Sequence, residues 1–171
     1  METNSFAQVF LEEVKRRLFL ESWPRLHKCL DLLTEEEVWA RPNSSSNSVG
    51  NLVLHLCGNA RQWIVSGLGG APDHRRRDLE FSETGPIPKA QLAELLDQLK
   101  PDIWHTLDRL TEADLLKTYV IQGFQENGIS VLVHVVEHFS YHTGQVSYFV
   151  KAKKDLDLQY YTGHDLNETN S

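Results

Sequence analysis

Apolar residues recur along this chain at the spacing of amphipathic helices. Phe6, Val9, Phe10, Val14 and Leu18 keep a helical period, and the stripe resumes at Leu26, Leu30 and Leu33. Asn4 or Ser5 is placed to cap its start, with acidic residues soon after. Pro24 predicts a kink, or a break into two pieces that end before Thr34. Thr34-Glu35-Glu36-Glu37 has the form of a capping box opening one short turn that carries Trp39. A polar linker, residues 41–47, leads to a second helix over residues 49–68, capped by Asn47 or Ser48. Leu52, Leu56, Trp63 and Ile64 are its apolar set, and Gly67, Gly69 and Gly70 end it.

Residues 71–88 form a connection too long for a tight antiparallel turn, which predicts a crossover along the length of a bundle. Pro88 suits the first position of a third helix running to about residue 110. Leu92, Leu95, Leu96, Leu99 and Ile103 face inward on it, and Pro101 marks an expected kink. Thr111-Glu112-Ala113-Asp114 repeats the short capped turn, and residues 118–124 read as an extended or irregular connection. A fourth helix covers residues 129–151, with Lys151, Lys153 and Lys154 at the negative end of its dipole. The expectation is an all-α fold, a four-helix bundle over residues 1–154. A polar tail, residues 155–171, follows, in which Tyr160 and Tyr161 are the residues able to dock.

Composition narrows the function. A chain of 171 residues is long enough for one domain with its own core. No apolar run approaches the roughly 18–20 residues of a membrane span. The N-terminal stretch reads as an amphipathic helix rather than a signal peptide, so a cytoplasmic protein is expected. Cys29 and Cys57 lack CxxC spacing and read as buried thiols. Seventeen Lys and Arg against 24 Asp and Glu give a net charge of −7. That balance argues against nucleic acid as a partner, and the short basic run Arg75-Arg76-Arg77 does not reverse it.

The candidate chemistry lies in the fourth helix, VLVHVVEHFSYHTGQVSYFV. His134, His138 and His142 follow one another at four-residue steps, so their imidazoles stack along one helical face. A buried imidazole needs a partner for each nitrogen, and a lone histidine on such a stripe is usually a hydrogen-bonded core residue. Two histidines at i and i+4 also suit two ligands of one metal, and a third ligand from another element would decide between the readings. His55, within HLCGN on the second helix, is the candidate third ligand. Spacing leaves both the His134/His138 and the His138/His142 pairs open. Gly58, one turn after His55, suits close helix packing or the approach of a ligand, packing being the commoner reason.

HLCGNARQW around His55 and HxxxHTGQ over His138–Gln145 resemble the DinB/YfiT-like superfamily of metal-binding four-helix bundles. The NSVGN opening of the second helix and the RRRDLEF loop extend the likeness over most of the chain. The resemblance implies an up-down-down-up bundle, a homodimer, and one divalent metal ion, zinc or nickel, on His55, His138 and His142. Some relatives are thiol-dependent transferases or isomerases, so the family implies a small-molecule substrate and a low-molecular-weight thiol as possible partners.

Around that centre the sequence nominates helpers. His134 is expected beside the ligands or in the core, and Glu137, offset by about 100° from His138, is expected to be solvated or outside the ligand set. Asn59 and Gln145 are placed to orient ligands or substrate, and Tyr141 could bring a hydroxyl near the metal. Arg75, Arg76 and Arg77, if folded over an open metal position, could bind a carboxylate-bearing substrate. The first reading is therefore a metal-dependent thiol transferase-like or hydrolase-like enzyme that activates a thiol or water against a small electrophile. The alternative is a noncatalytic, homodimeric metal-binding module in which the ion ties two helices together.

Overall fold

In a computed structural model of the chain, which describes residues 5–169, long helices line up as a bundle. Helix α1 (Phe6–Lys15) starts at Ser5, whose hydroxyl accepts from the Gln8 backbone N–H; Asn4 lies outside the described residues. The helix continues through a π-helical stretch, Arg16–Ser22, into α2 (Trp23–Leu32). Pro24 sits near the start of α2, where its missing N–H and bulky ring are tolerated because the preceding turns have widened. The expected kink is thus a π-helical segment inside a continuing helix. The short capped helix α3 (Glu35–Trp39) follows, and then α4 (Val49–Ala60), prolonged by a second π-helical stretch, Arg61–Leu68.

The crossover holds a short helix that its pattern did not show, α5 (Arg77–Ser82). Six residues have little intrinsic helical stability, so packing on α4 supplies it. Helix α6 (Lys89–Arg109) has Pro88 as its N-cap, one position earlier than expected, and passes through Pro101 as one helix. After α7 (Glu112–Leu116), residues 118–124 are not irregular. Strands β1 (Thr118–Ile121) and β2 (Phe124–Asn127) form an antiparallel hairpin. Its turn places Gln122 at φ 52° and Gly123 at φ 82°, the left-handed conformations of a tight hairpin. Helix α8 (Gly128–Lys154) completes the bundle.

Pairwise packing gives the topology. The α1–α2 rod lies against α8 and α6, and α4 lies against α6 and α8. Lys15 near the end of α1 pairs with Asp108 near the end of α6, while Lys89 at the start of α6 reaches the carbonyls of Leu30 and Leu33. Lys154 at the end of α8 pairs with Glu37, just beyond α2. The first and last helices therefore run one way and the middle two the other, up-down-down-up. The core between them includes Leu26, Leu56, Leu96 and Phe139, the last stacked on Trp23. Beyond α8 the chain turns back: Leu158 is buried, and the Tyr160 hydroxyl meets Ser147 Oγ at 2.7 Å and Cys29 Sγ at 3.3 Å.

Two devices hold the crossover on α4. Trp39 donates its indole N–H to the Ile87 carbonyl and lies so close to Gly50 that a β-carbon there would collide with its ring. Asn51 is wholly buried. Its Oδ1 accepts from the Ser48 backbone and from Arg41, and its Nδ2 donates to the carbonyls of Glu80 and Glu83 at 2.9 and 2.8 Å. The NSVGN segment thus caps α4 and fastens α5 at once. Asn51→Ala is expected to cost roughly 2–4 kcal/mol, the loss of a cap plus two stranded carbonyls. A urea midpoint like that of the wild type would contradict this role for the side chain.

Candidate metal centre

Where α4 faces α8, three imidazoles converge. His55, on α4, is only 5% exposed; His138 and His142, one turn apart on α8, are half-buried. Nε2 of His138 lies 2.9 Å from Nε2 of His55. The ring of His142 stands edge-on to both others, its centroid 5.2 Å from that of His55 and 4.5 Å from that of His138. One ligand nitrogen from each of the three lies within 4.8 Å of the other two, so the group could hold a metal ion.

Outer partners decide which nitrogens carry protons. His55 Nδ1 lies 2.8 Å from Glu80 Oε2. Arg75 holds the same carboxylate with Nε on Oε1 at 2.7 Å and Nη2 on Oε2 at 2.9 Å. Glu80 is an acceptor only, so His55 donates Nδ1–H to it and its Nε2 carries the lone pair. The 3.1 Å approach of Arg75 Nη2 to His55 Nδ1 is then a contact between two donors to one oxygen rather than a bond between them. On α8, His142 Nδ1 lies 2.7 Å from Gln145 Oε1 and donates to it, leaving Nε2 free to coordinate. Ring nitrogens whose protons are tied up behind them present lone pairs in front, the arrangement seen behind metal-bound histidines.

Burial, with the charges nearby, sets the ionisation of Glu80, His138 and His142. Burial pushes the Glu80 carboxyl up, but hydrogen bonds from Arg75 and His55 outweigh it and hold the group below its usual range. Glu80 and Arg75 therefore form a compensated ion pair, with side chains only 10% and 5% exposed. His138 is pushed down to about 3, first by burial and then by repulsion from His142, His55, His134 and Arg75. Burial also lowers His142 against the opposing bond from Gln145.

Glu80 was missed in the sequence because it sits in the RRRDLEF run, 25 residues from His55. Gly58 marks its seat: a β-carbon there would run into Glu80 Oε1. The close approach expected at Gly58 is that of a carboxylate, not of a helix backbone. Phe81, next along α5, covers His55 with ring centroids 4.6 Å apart.

The other nominated residues are spread more widely. His134 lies tilted against Trp63, ring centroids 4.1 Å apart, and meets the Asn59 amide at 3.4 Å, one turn below the three-histidine group. Tyr141 is 62% exposed, its ring 5.0 Å from that of His142. Glu137 is exposed, on the side of α8 that faces the α1–α2 rod. Arg75 is occupied by Glu80 and by Gln62, whose Oε1 it reaches at 2.9 Å. Arg76 lies 3.7 Å from Asp78, and Arg77 rests over the Phe81 ring. Arg75 is thus a clamp behind His55, while Arg76 and Arg77 stand outside that ion pair.

These shifts set a pH dependence. An unfolded histidine titrates near 6.5, while His138 in the fold takes its proton only near 3. Between those values the unfolded chain binds more protons, so stability of the metal-free protein is complete above about pH 6.5 and falls as pH drops towards 3. A urea midpoint that stays constant or rises from pH 7 to pH 5 would contradict this burial.

Residues 5–162 match the family described as protein of unknown function DUF1572. No curated protein matches the chain. Among solved structures, a conserved protein from Enterococcus faecalis superposes with a TM-score of 0.70 at 16% identity, covering 90% of this chain and 100% of that one. A DinB-like protein from Bacillus cereus gives 0.63 at 19% identity, covering 87% and 93%. A DinB-like protein from Bacillus subtilis gives 0.63 at 19% identity, covering 82% and 91%. At such identities the likeness concerns the fold, a DinB-like helical bundle. No helix among the described residues is long and apolar enough to cross a membrane. With nearly its whole length matched by one family model, the chain belongs to the DUF1572 family, and its fold is that of the DinB-like proteins.

Proposed function

We propose that His55, His138 and His142 hold one divalent metal ion, zinc or nickel, and that the centre serves a reaction on a small molecule. The observation that carries this reading is the convergence of three imidazoles, two with protons committed to Glu80 and Gln145. The ion would act as a Lewis acid, lowering the pKa of a thiol or water that enters its remaining position for attack on a small electrophile. Among the described residues the group has three members and no carboxylate, which favours an open site over one closed by a fourth protein ligand.

The chain's own residues have separable roles. Glu80 and Arg75 orient His55, Gln145 orients His142, and Phe81 shields the His55 ring from water. Neither cysteine is suited to be the attacking thiol. Burial pushes Cys57 up to about 12 and raises Cys29 as well. A thiol used here would come from a separate small molecule. The noncatalytic, homodimeric module remains the competing reading, and it requires a fourth protein ligand.

Metal analysis of protein purified without a nickel column should find about one ion per chain. His55→Ala and His142→Ala should abolish tight binding, while Glu80→Gln should weaken it by about 10–100-fold. Turnover of a model electrophile with glutathione, bacillithiol or mycothiol should require the metal. Absence of metal-dependent turnover with any thiol or with water, together with large destabilisation by chelators, would favour the noncatalytic module.

A further inference from the structure

Beside the three-histidine group, a cavity of about 790 Å³ reaches from Gln145, the residue holding His142, along the last turns of α8. Leu52, one turn before His55 on α4, and Phe149 on α8 form part of its apolar wall. Two cations, Arg41 and Lys153, line it as well, as does Ser46. No Asp or Glu lines it, in a chain whose net charge is −7. The nearest carboxylate known to feel Lys153 is Glu37, which is already engaged by Lys154 at 2.6 Å.

Arg41 is not a loose surface side chain. Its Nη2 donates to Asn51 Oδ1 at 3.0 Å and to the Phe81 carbonyl at 2.9 Å, which fixes the guanidinium and leaves its other N–H donors free. The fastener that ties α5 to α4 therefore also positions a cation at the cavity wall. From Gln145 to Lys153 is eight residues of helix, about 12 Å.

We propose that this cavity is the substrate-binding half of the metal centre, and that it takes an elongated small molecule with an apolar body and a terminal anion, carboxylate or phosphate. This rests on the metal-site reading for its reactive end, but not for its anionic end. The apolar wall holds the body, Arg41 and Lys153 receive the anion, and the opposite end lies beside Gln145, which holds His142. Arg41 and Lys153 thus take the role that Arg75, held by Glu80 and Gln62, is too occupied to fill.

The two halves are tested separately. Calorimetry on the metal-free full chain with hexanoate, hexyl phosphate and hexylammonium should show binding of one or both anions and none of the cation. Which anion binds more tightly identifies the terminal group. Lys153→Glu, an exposed position that does not threaten folding, should weaken that binding by at least about tenfold, and Arg41→Gln should act in the same direction. Equal binding of hexylammonium, no binding of either anion, or wild-type affinity in Lys153→Glu would overturn the proposal. The cobalt-loaded protein is then titrated with mercaptohexanoate and mercaptohexanol, following the sulfur-to-metal absorption band. The carboxylate should bind at least about tenfold more tightly, and Lys153→Glu should erase that advantage while keeping the band. A band with no carboxylate advantage would overturn the substrate assignment. Failure of cobalt to bind, with anion binding intact, would instead remove the metal reading.

Discussion

Two ring nitrogens 2.9 Å apart, in a place where water has little access, are the constraint on which this molecule turns. With Nδ1–H of His55 given to Glu80, its Nε2 presents a lone pair to His138 Nε2. Two lone pairs at that separation repel, so a proton or a cation must lie between the rings. His142, its own Nδ1 proton taken by Gln145, adds a third donor to the same space. A single proton satisfies one pair; a divalent cation satisfies all three.

Much of the fold serves that convergence. The crossover has to run the length of the bundle because the middle helices are parallel, and α5 uses that length to bring a carboxylate behind His55. The absence of a side chain at Gly58 makes room for the carboxylate, Arg75 neutralises it, and Asn51 secures the carbonyls at its helix end. A buried ion pair of this kind is weak evidence for stability. Its value here is orientation: it selects the tautomer of His55 and keeps the ring from turning away from α8.

The helical architecture was legible because periodic apolar stripes and capping boxes are local signals. Ser5, Thr34, Ser48 and Thr111 each form the cap or capping box that their sequence context announced. The histidine steps in α8 were equally plain, since side chains four apart on a helix share a face. What stayed hidden depends on contacts between distant segments. Glu80 looks like any acid in a charged loop until α5 docks, and α5 is itself too short to be recognised before it docks. The hairpin at residues 118–127 was missed because Gln122-Gly123 is not the usual Asn-Gly turn, and a glutamine at φ 52° is not anticipated from composition. Nothing in the Arg75-Arg76-Arg77 run marks its first cation as the one whose side chain is only 5% exposed, buried on Glu80.

The most direct test is anomalous diffraction from crystals of the zinc-loaded protein, recorded on both sides of the zinc edge. A single peak at about 2.0–2.1 Å from Nε2 of His55, His138 and His142, with Glu80 still on His55 Nδ1, is the predicted result. A peak bound by the α8 histidines without His55, or zinc seated elsewhere on the chain, would contradict the account.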